Sequence, residues 1–207
     1  MPGRHGAFTV SSQVRSEWLA MIFGNRNDFA IEAMVEPDLA PPSRPWGRLC
    51  VWVSGHQIGN YEEPHCGLGG PCVQFKETCE ALNGLWDDGF ANMADVELWN
   101  FLDGLLYGYH GNIELDDDLR SMDEILQDSS KYSKFDFLTN WGEMFDRGGK
   151  SFILKQPDGM LKVLNFDYEK NCVNAYVCSE LSFRLAIKEF AAWYDSQVTV
   201  LSGASNA

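Results

Sequence analysis

Alternating apolar and polar residues mark the N-terminal part of the chain as β-structure. Residues 29–35 alternate with a period of two, which predicts a strand, and residues 46–53 predict a second strand. A loop with four prolines joins these two segments, and a Ser-Gly turn after the second leads into a returning segment, 56–61. The pattern predicts an antiparallel β-meander over residues 20–63.

Helical spacing replaces this alternation in the middle of the chain. After the glycine-rich segment 64–70, Pro71 is suited to the first turn of a helix. Apolar residues then recur every three or four positions over residues 93–107, which predicts an amphipathic helix. A second, shorter helix is predicted from another apolar stripe. The residues of that stripe are Leu119, Met122, Ile125 and Leu126. We expect both helices to carry their carboxylates on the opposite face.

The C-terminal part returns to β-structure and ends in a helix. Residues 151–156 and 160–166 flank a Pro-Asp-Gly turn, and residues 172–177 form a possible third strand. Ser179 is suited to cap a final helix. The apolar stripe of that helix is Phe183, Ile187, Phe190 and Tyr194. The order of elements predicts an α+β fold, with an N-terminal antiparallel β-meander, a helical middle and a C-terminal β-hairpin followed by a helix.

Length and composition indicate how this fold is organised. With 207 residues, of which 45% are hydrophobic, the chain can bury one sizeable core. We therefore expect a flexible N-terminus over residues 1–16 and a single α+β domain over residues 17–207. The N-terminus lacks the apolar stretch of a secretory signal, and no apolar run is long enough to span a membrane. These features predict a cytoplasmic protein.

Negative charge is concentrated in one third of the chain. Residues 80–146 contain 16 of the 30 acidic residues and only three basic ones, so they carry −13 of the net charge of −14. No Lys or Arg occurs between residues 77 and 119. The carboxylates in this interval that lack a nearby cation in the sequence include Asp87, Asp88, Asp95, Glu97 and Asp103. Repulsion among these carboxylates destabilises the fold, and a basic partner would relieve it. The alternative is that the acidic surface serves only to keep the protein soluble. The lack of clustered Lys and Arg argues against nucleic acid or an anionic membrane as a ligand.

Candidate chemistry is sparse. The six cysteines read as free thiols, and the spacing of Cys66, Cys72 and Cys79 differs from that of closed zinc sites. The carboxylates at 114–118 are not followed by a calcium-binding loop and also suit a helix start. Neither a nucleophile elbow nor a phosphate-binding loop occurs. We therefore predict no cofactor, no metal and no enzymatic activity, with a metal-dependent hydrolase as the remote alternative.

Four short motifs within residues 22–63 carry a family resemblance. They are Ile-Phe-Gly at 22–24, Phe-Ala-Ile-Glu at 29–32, the Trp-Gly-Arg strand at 46–53, and the Gly-x-x-Ile-Gly-Asn-Tyr-Glu return at 55–62. Together they resemble the N-terminal region of the immunity protein 42 family, bacterial proteins of polymorphic-toxin and contact-dependent inhibition systems. The resemblance implies a protein that binds and neutralises a cognate toxin, and it implies no active site.

Charge and resemblance together suggest the partner. A basic toxin, such as a nuclease that binds phosphates, would suit an acidic inhibitor that acts by stoichiometric occlusion. An acidic adaptor or regulatory module that binds another basic protein is the alternative. The predicted partner-binding residues are Trp86, Asp87, Asp88, Asp116, Asp117, Asp118, Asp123 and Glu124.

Overall fold

A computed structural model describes residues 20–36, 45–115, 118–146 and 148–204. The predicted flexible N-terminus and most of the proline-rich loop lie outside these ranges. The described residues form eleven strands and four α-helices. The strands are β1 (Met21–Gly24), β2 (Phe29–Val35), β3 (Trp46–Val53), β4 (His56–Ile58), β5 (Cys66–Gly67), β6 (Tyr109–His110), β7 (Ile113–Glu114), β8 (Asp136–Phe137), β9 (Ser151–Lys155), β10 (Met160–Asp167) and β11 (Cys172–Ser179). The helices are α1 (Gly69–Ala81), α2 (Asp95–Tyr107), α3 (Met122–Tyr132) and α4 (Glu180–Ala204).

The N-terminal strands form the predicted antiparallel meander. Their order in the sheet is β1-β2-β3-β4, and β5 also pairs with β3. Phe29 lies opposite Val53, and Val35 lies opposite Gly47. Glu32 is buried in β2 but is neutralised by Arg26, whose guanidinium donates to its carboxylate over 2.6 Å. The alternation in the sequence therefore predicts this sheet correctly.

The C-terminal strands form a second antiparallel sheet in the order β11-β10-β9-β8. The predicted hairpin is β9 and β10, and the possible third strand is β11, which pairs with β10 along its whole length. Strand β8 was not predicted from the sequence, because two residues are too few to show a period.

Helix α4 joins the two sheets. Ser179 caps it as predicted, since its hydroxyl oxygen accepts a hydrogen bond from the Ser182 N–H over 3.2 Å. The Phe183 ring lies 4.6 Å from the Phe29 ring of the first sheet and 6.1 Å from the Phe137 ring of the second. Both sheets and α4 therefore contribute to one hydrophobic core, and the fold is α+β, as the order of elements predicts.

The middle helices differ from the prediction in two respects. Helix α1 begins at Gly69, so the end of the glycine-rich segment is helical rather than a loop. Helix α3 buries Tyr132 and half-buries Ile125, but Leu119, Met122 and Leu126 are 95%, 69% and 61% exposed. The predicted apolar stripe therefore faces solvent over most of its length. Leu119 lies before the start of α3, and the ring contact with Phe101 of α2 is made by Tyr132 at the other end of the helix.

Candidate partner-binding surface

Helices α2 and α3 pack against each other, and an open groove lies between α2 and the segment that leads into α3. The Tyr132 ring at the end of α3 meets the Phe101 ring of α2 edge-on at 5.3 Å. After α2 the chain turns at Gly108, whose φ of +72° is a left-handed conformation that favours glycine, and forms the β6–β7 hairpin. Helix α2, this hairpin and residues 118–120 line the open groove, which has a volume of about 630 Å³ and which we call the α2–hairpin groove. Its walls include Phe101, Leu105, Tyr109, Leu115 and Leu119.

A buried ion pair fixes the hairpin wall of this groove. Asp103 of α2 is fully buried and accepts a hydrogen bond from the Gly111 N–H over 2.9 Å. It also forms an ion pair with Lys150, whose ammonium lies 4.7 Å from the centre of the Tyr107 ring. Gly111 has a φ of +66° and packs so tightly on the Phe166 ring that a side chain there would collide with it. The Gly111–Asp103 hydrogen bond and the Gly111–Phe166 packing therefore anchor the hairpin to α2 and to β10.

Asp103 corrects the expectation that α2 carries all its carboxylates on its outer face. Burial raises the pKa of Asp103, whereas the Lys150 ammonium and the Gly111 N–H lower it. The sequence prediction was wrong here because the compensating cation lies in the segment just before β9, far along the chain.

Arg120 fixes the opposite wall. Its guanidinium donates to Asp128 over 2.6 Å, to Asp118 over 2.7 Å and to the Leu105 carbonyl oxygen of α2 over 3.1 Å. The Arg120 hydrogen bonds hold the pKa of the exposed Asp118 carboxyl below its usual range. The predicted binding residue Asp118 thus lies at the rim of the groove, where Arg120 fixes its orientation.

The first turn of α3 carries two further predicted residues. The Glu124 carboxylate accepts from the Ser121 N–H over 2.7 Å, and the Ser121 hydroxyl oxygen accepts in return from the Glu124 N–H over 3.3 Å. This reciprocal arrangement is a capping box, and the hydrogen bond from the Ser121 backbone lowers the pKa of Glu124. Asp123 beside it is exposed. Both side chains reach solvent next to Met122.

Trp86, Asp87 and Asp88 lie in the turn before α2. The half-buried Trp86 donates through its indole N–H to Asp88 over 3.1 Å. Asp87 accepts from the Gly89 N–H over 2.9 Å and forms an ion pair with Lys131 over 3.0 Å; the Gly89 hydrogen bond is the main reason that its pKa is lowered.

The structure divides the predicted binding residues into two groups. Asp87 reaches Lys131 near the end of α3, whereas Asp123 and Glu124 lie in its first turn, about 12 Å away along a helix that rises about 1.5 Å per residue. Asp116 and Asp117 lie outside the described residues.

Long-range ion pairs correct the expectation that the carboxylates of the acidic stretch lack cationic partners. Asp87 pairs with Lys131, and Asp95 pairs with Lys162 of β10 over 2.8 Å. Asp103 likewise pairs with Lys150. The self-repulsion is therefore smaller than the sequence indicates. Some exposed carboxylates nevertheless form no ion pair with any described residue. Within the acidic stretch these are Glu80, Asp88, Glu97, Glu114, Asp123, Glu124, Glu143 and Asp146.

The remaining candidate chemistry does not assemble into a site. Within the described ranges, no group of three or more His, Cys, Asp or Glu side chains is arranged to hold a metal ion. All six cysteines are free, and burial raises the pKa of the Cys66 thiol to about 11. None of the described helices combines the length and the apolar character needed to cross a bilayer.

Comparison with known proteins identifies the family. The crystal structure of CdiI from Burkholderia dolosa AUO158 resembles this chain with a TM-score of 0.53 and 14% sequence identity, covering 83% of this chain and 99% of that one. This likeness shows a common fold. No curated protein sequence matches the chain. The family model for Immunity protein 42 matches residues 21–193, which include both sheets and the groove. The chain therefore belongs to the Immunity protein 42 family, a family of immunity proteins.

Proposed function

We propose that this protein binds a cognate bacterial toxin and neutralises it by stoichiometric occlusion, without catalysis. The observation that carries this proposal is the family match over residues 21–193, because immunity proteins protect a cell against a partner toxin. The likeness to CdiI, itself an immunity protein by name, supports the same role. We infer that the protein acts in the cytoplasm.

The charge of the surface supports a basic toxin, with a nuclease as the specific proposal. Asp88, Glu114 and Asp123 are exposed, and they lie within the stretch that carries most of the net charge. Nuclease surfaces are basic because they bind phosphates. An acidic face accelerates association with such a surface and selects against acidic partners. Occlusion requires only that the bound inhibitor covers the surface that the toxin uses.

Co-expression and association kinetics test this proposal. The toxin domain encoded beside this gene should kill cells when expressed alone and spare cells that also express this protein. The association rate constant should fall steeply as salt rises from about 0.02 M to 0.15 M, because screening weakens long-range attraction. Absence of protection and of any complex would refute the proposed function. A salt-independent association rate would refute the electrostatic part alone.

A further inference from the structure

Three exposed apolar side chains stand beside the α2–hairpin groove. Leu119, Met122 and Leu126 form what we call the α3 apolar patch, and each exposes more than half of its surface. Met122 and Leu126 are four positions apart on one helix, so they are neighbours on its surface. Leu119 also lines the groove, and Ile113 in strand β7 of the hairpin is 66% exposed. Exposed apolar side chains gathered in one region are typical of interaction sites in soluble proteins.

Carboxylates border this patch. Asp118 precedes it, Asp123 and Glu124 follow Met122 directly, and Glu114 lines the groove. The cation of this region, Arg120, already pairs with Asp118 and Asp128. The surface therefore has an apolar centre and a negatively charged rim, which is the usual anatomy of a protein–protein interface.

From these observations we infer that the α3 apolar patch and the adjoining groove are the energetic centre of the toxin-binding interface, and that they receive an apolar side chain of the toxin surrounded by Lys and Arg. The inference rests on the proposed function and locates its surface. It moves the centre of binding away from Trp86, Asp87 and Asp88 to the first turn of α3. Desolvated apolar contacts would supply most of the affinity, and the carboxylate rim would supply orientation and speed.

Charge argues against a second copy of this chain as the occupant. A symmetric dimer through this patch would place two carboxylate rims against each other, and like charges in contact disfavour association. A basic partner gains from the same rim. The fixed walls also favour binding, because the Asp103–Lys150 pair and the Arg120 network hold the hairpin and residues 118–121 in place before the partner arrives.

Binding measurements on surface variants test this inference. The double variant Met122→Ser/Leu126→Ser truncates two exposed side chains, so it should keep the unfolding midpoint of the wild type. Its Kd for the toxin domain encoded by the neighbouring gene should rise about tenfold or more, mainly through faster dissociation. Leu181→Ser is the matched control, because Leu181 lies on α4 and is 69% exposed, like Met122; its Kd should stay within about twofold of the wild type.

A rim variant separates the charged contribution from the apolar one. Asp123→Asn should slow association at low salt and change dissociation little, because a rim charge acts on the approach of the partner. If Met122→Ser/Leu126→Ser binds within twofold of the wild type while the wild type binds tightly, the inference is wrong and the proposed function stands. If the wild type itself forms no complex, both fail. A dimer of the free protein that the double variant converts to a monomer would also overturn the inference.

Discussion

Replacing Asp103 by Asn tests whether the buried ion pair holds the groove wall. Asn keeps the size of the side chain and can still accept the Gly111 N–H, but it removes the carboxylate that pairs directly with the Lys150 ammonium and leaves only the weaker attraction of Asp136. Asp103 is fully buried, and the Lys150 side chain is only 12% exposed, so water can replace little of the lost interaction. Removing one member of a buried pair costs about 3–5 kcal/mol of folding stability.

The surroundings of Lys150 place this variant at the lower end of that range. Its ammonium lies 4.7 Å from the Tyr107 ring centre and 5.6 Å from the Trp99 ring centre, and each cation–π contact offsets about 0.5–1 kcal/mol. We expect a loss of about 3 kcal/mol, which for a protein of this length lowers Tm by about 6–12 °C. Urea denaturation at pH 7, followed by circular dichroism, measures it.

Asp95→Asn is the matched control, because Asp95 lies on the same helix and also pairs with a lysine. Its side chain is 40% exposed, so the same substitution should cost at most about 1 kcal/mol. The double variant Asp103→Leu/Lys150→Met should recover most of the stability, since it leaves no buried charge unpaired. Equal losses for Asp103→Asn and Asp95→Asn would show that the buried pair does not stabilise the groove wall.

Two further predictions concern Asp136 and the domain organisation. Burial raises the pKa of Asp136 to about 6, against its ordinary value of 3.8. Between these values the unfolded chain loses this proton while the folded protein keeps it, so the contribution of Asp136 to stability falls as pH rises from about 4 to 6. The unfolding free energy of Asp136→Asn, taken relative to that of the wild type, should therefore rise by about 1–3 kcal/mol between pH 4 and pH 8. Urea denaturation of both proteins at each pH measures this difference, and a difference that does not change with pH would contradict the prediction. If residues 17–207 form a single domain, thermal unfolding should be one cooperative transition by both circular dichroism and tryptophan fluorescence, and two separate midpoints would contradict it.

The sequence predicts the sheets well because strand pairing here follows local patterns. The alternation in residues 29–35, the apolar segment 46–53 and the Pro-Asp-Gly turn each identify a strand or hairpin that the structure confirms. Ser179 caps α4 as expected. The resemblance in residues 22–63 also identifies the right family, although the family match extends far beyond these motifs.

The binding surface was less predictable, because it depends on contacts between distant segments. Periodicity shows that α3 has an apolar face, but it does not show what covers that face, so the exposure of Met122 and Leu126 could be found only in the structure. The pairing of Asp103 with Lys150 and of Asp95 with Lys162 joins α2 to residues in or next to the C-terminal sheet. A count of neighbouring charges misses such pairs and overstates the unbalanced charge.

Stoichiometric neutralisation of a toxin is the central property proposed for this protein. Its most direct test is a titration of the toxin domain encoded beside this gene, with the toxin activity measured against increasing amounts of this protein. The toxin activity should fall in proportion to the added protein and reach zero at a molar ratio of about one, as expected for tight one-to-one binding. Undiminished activity at an excess of this protein, or complete loss at a small fraction of one equivalent, would contradict it.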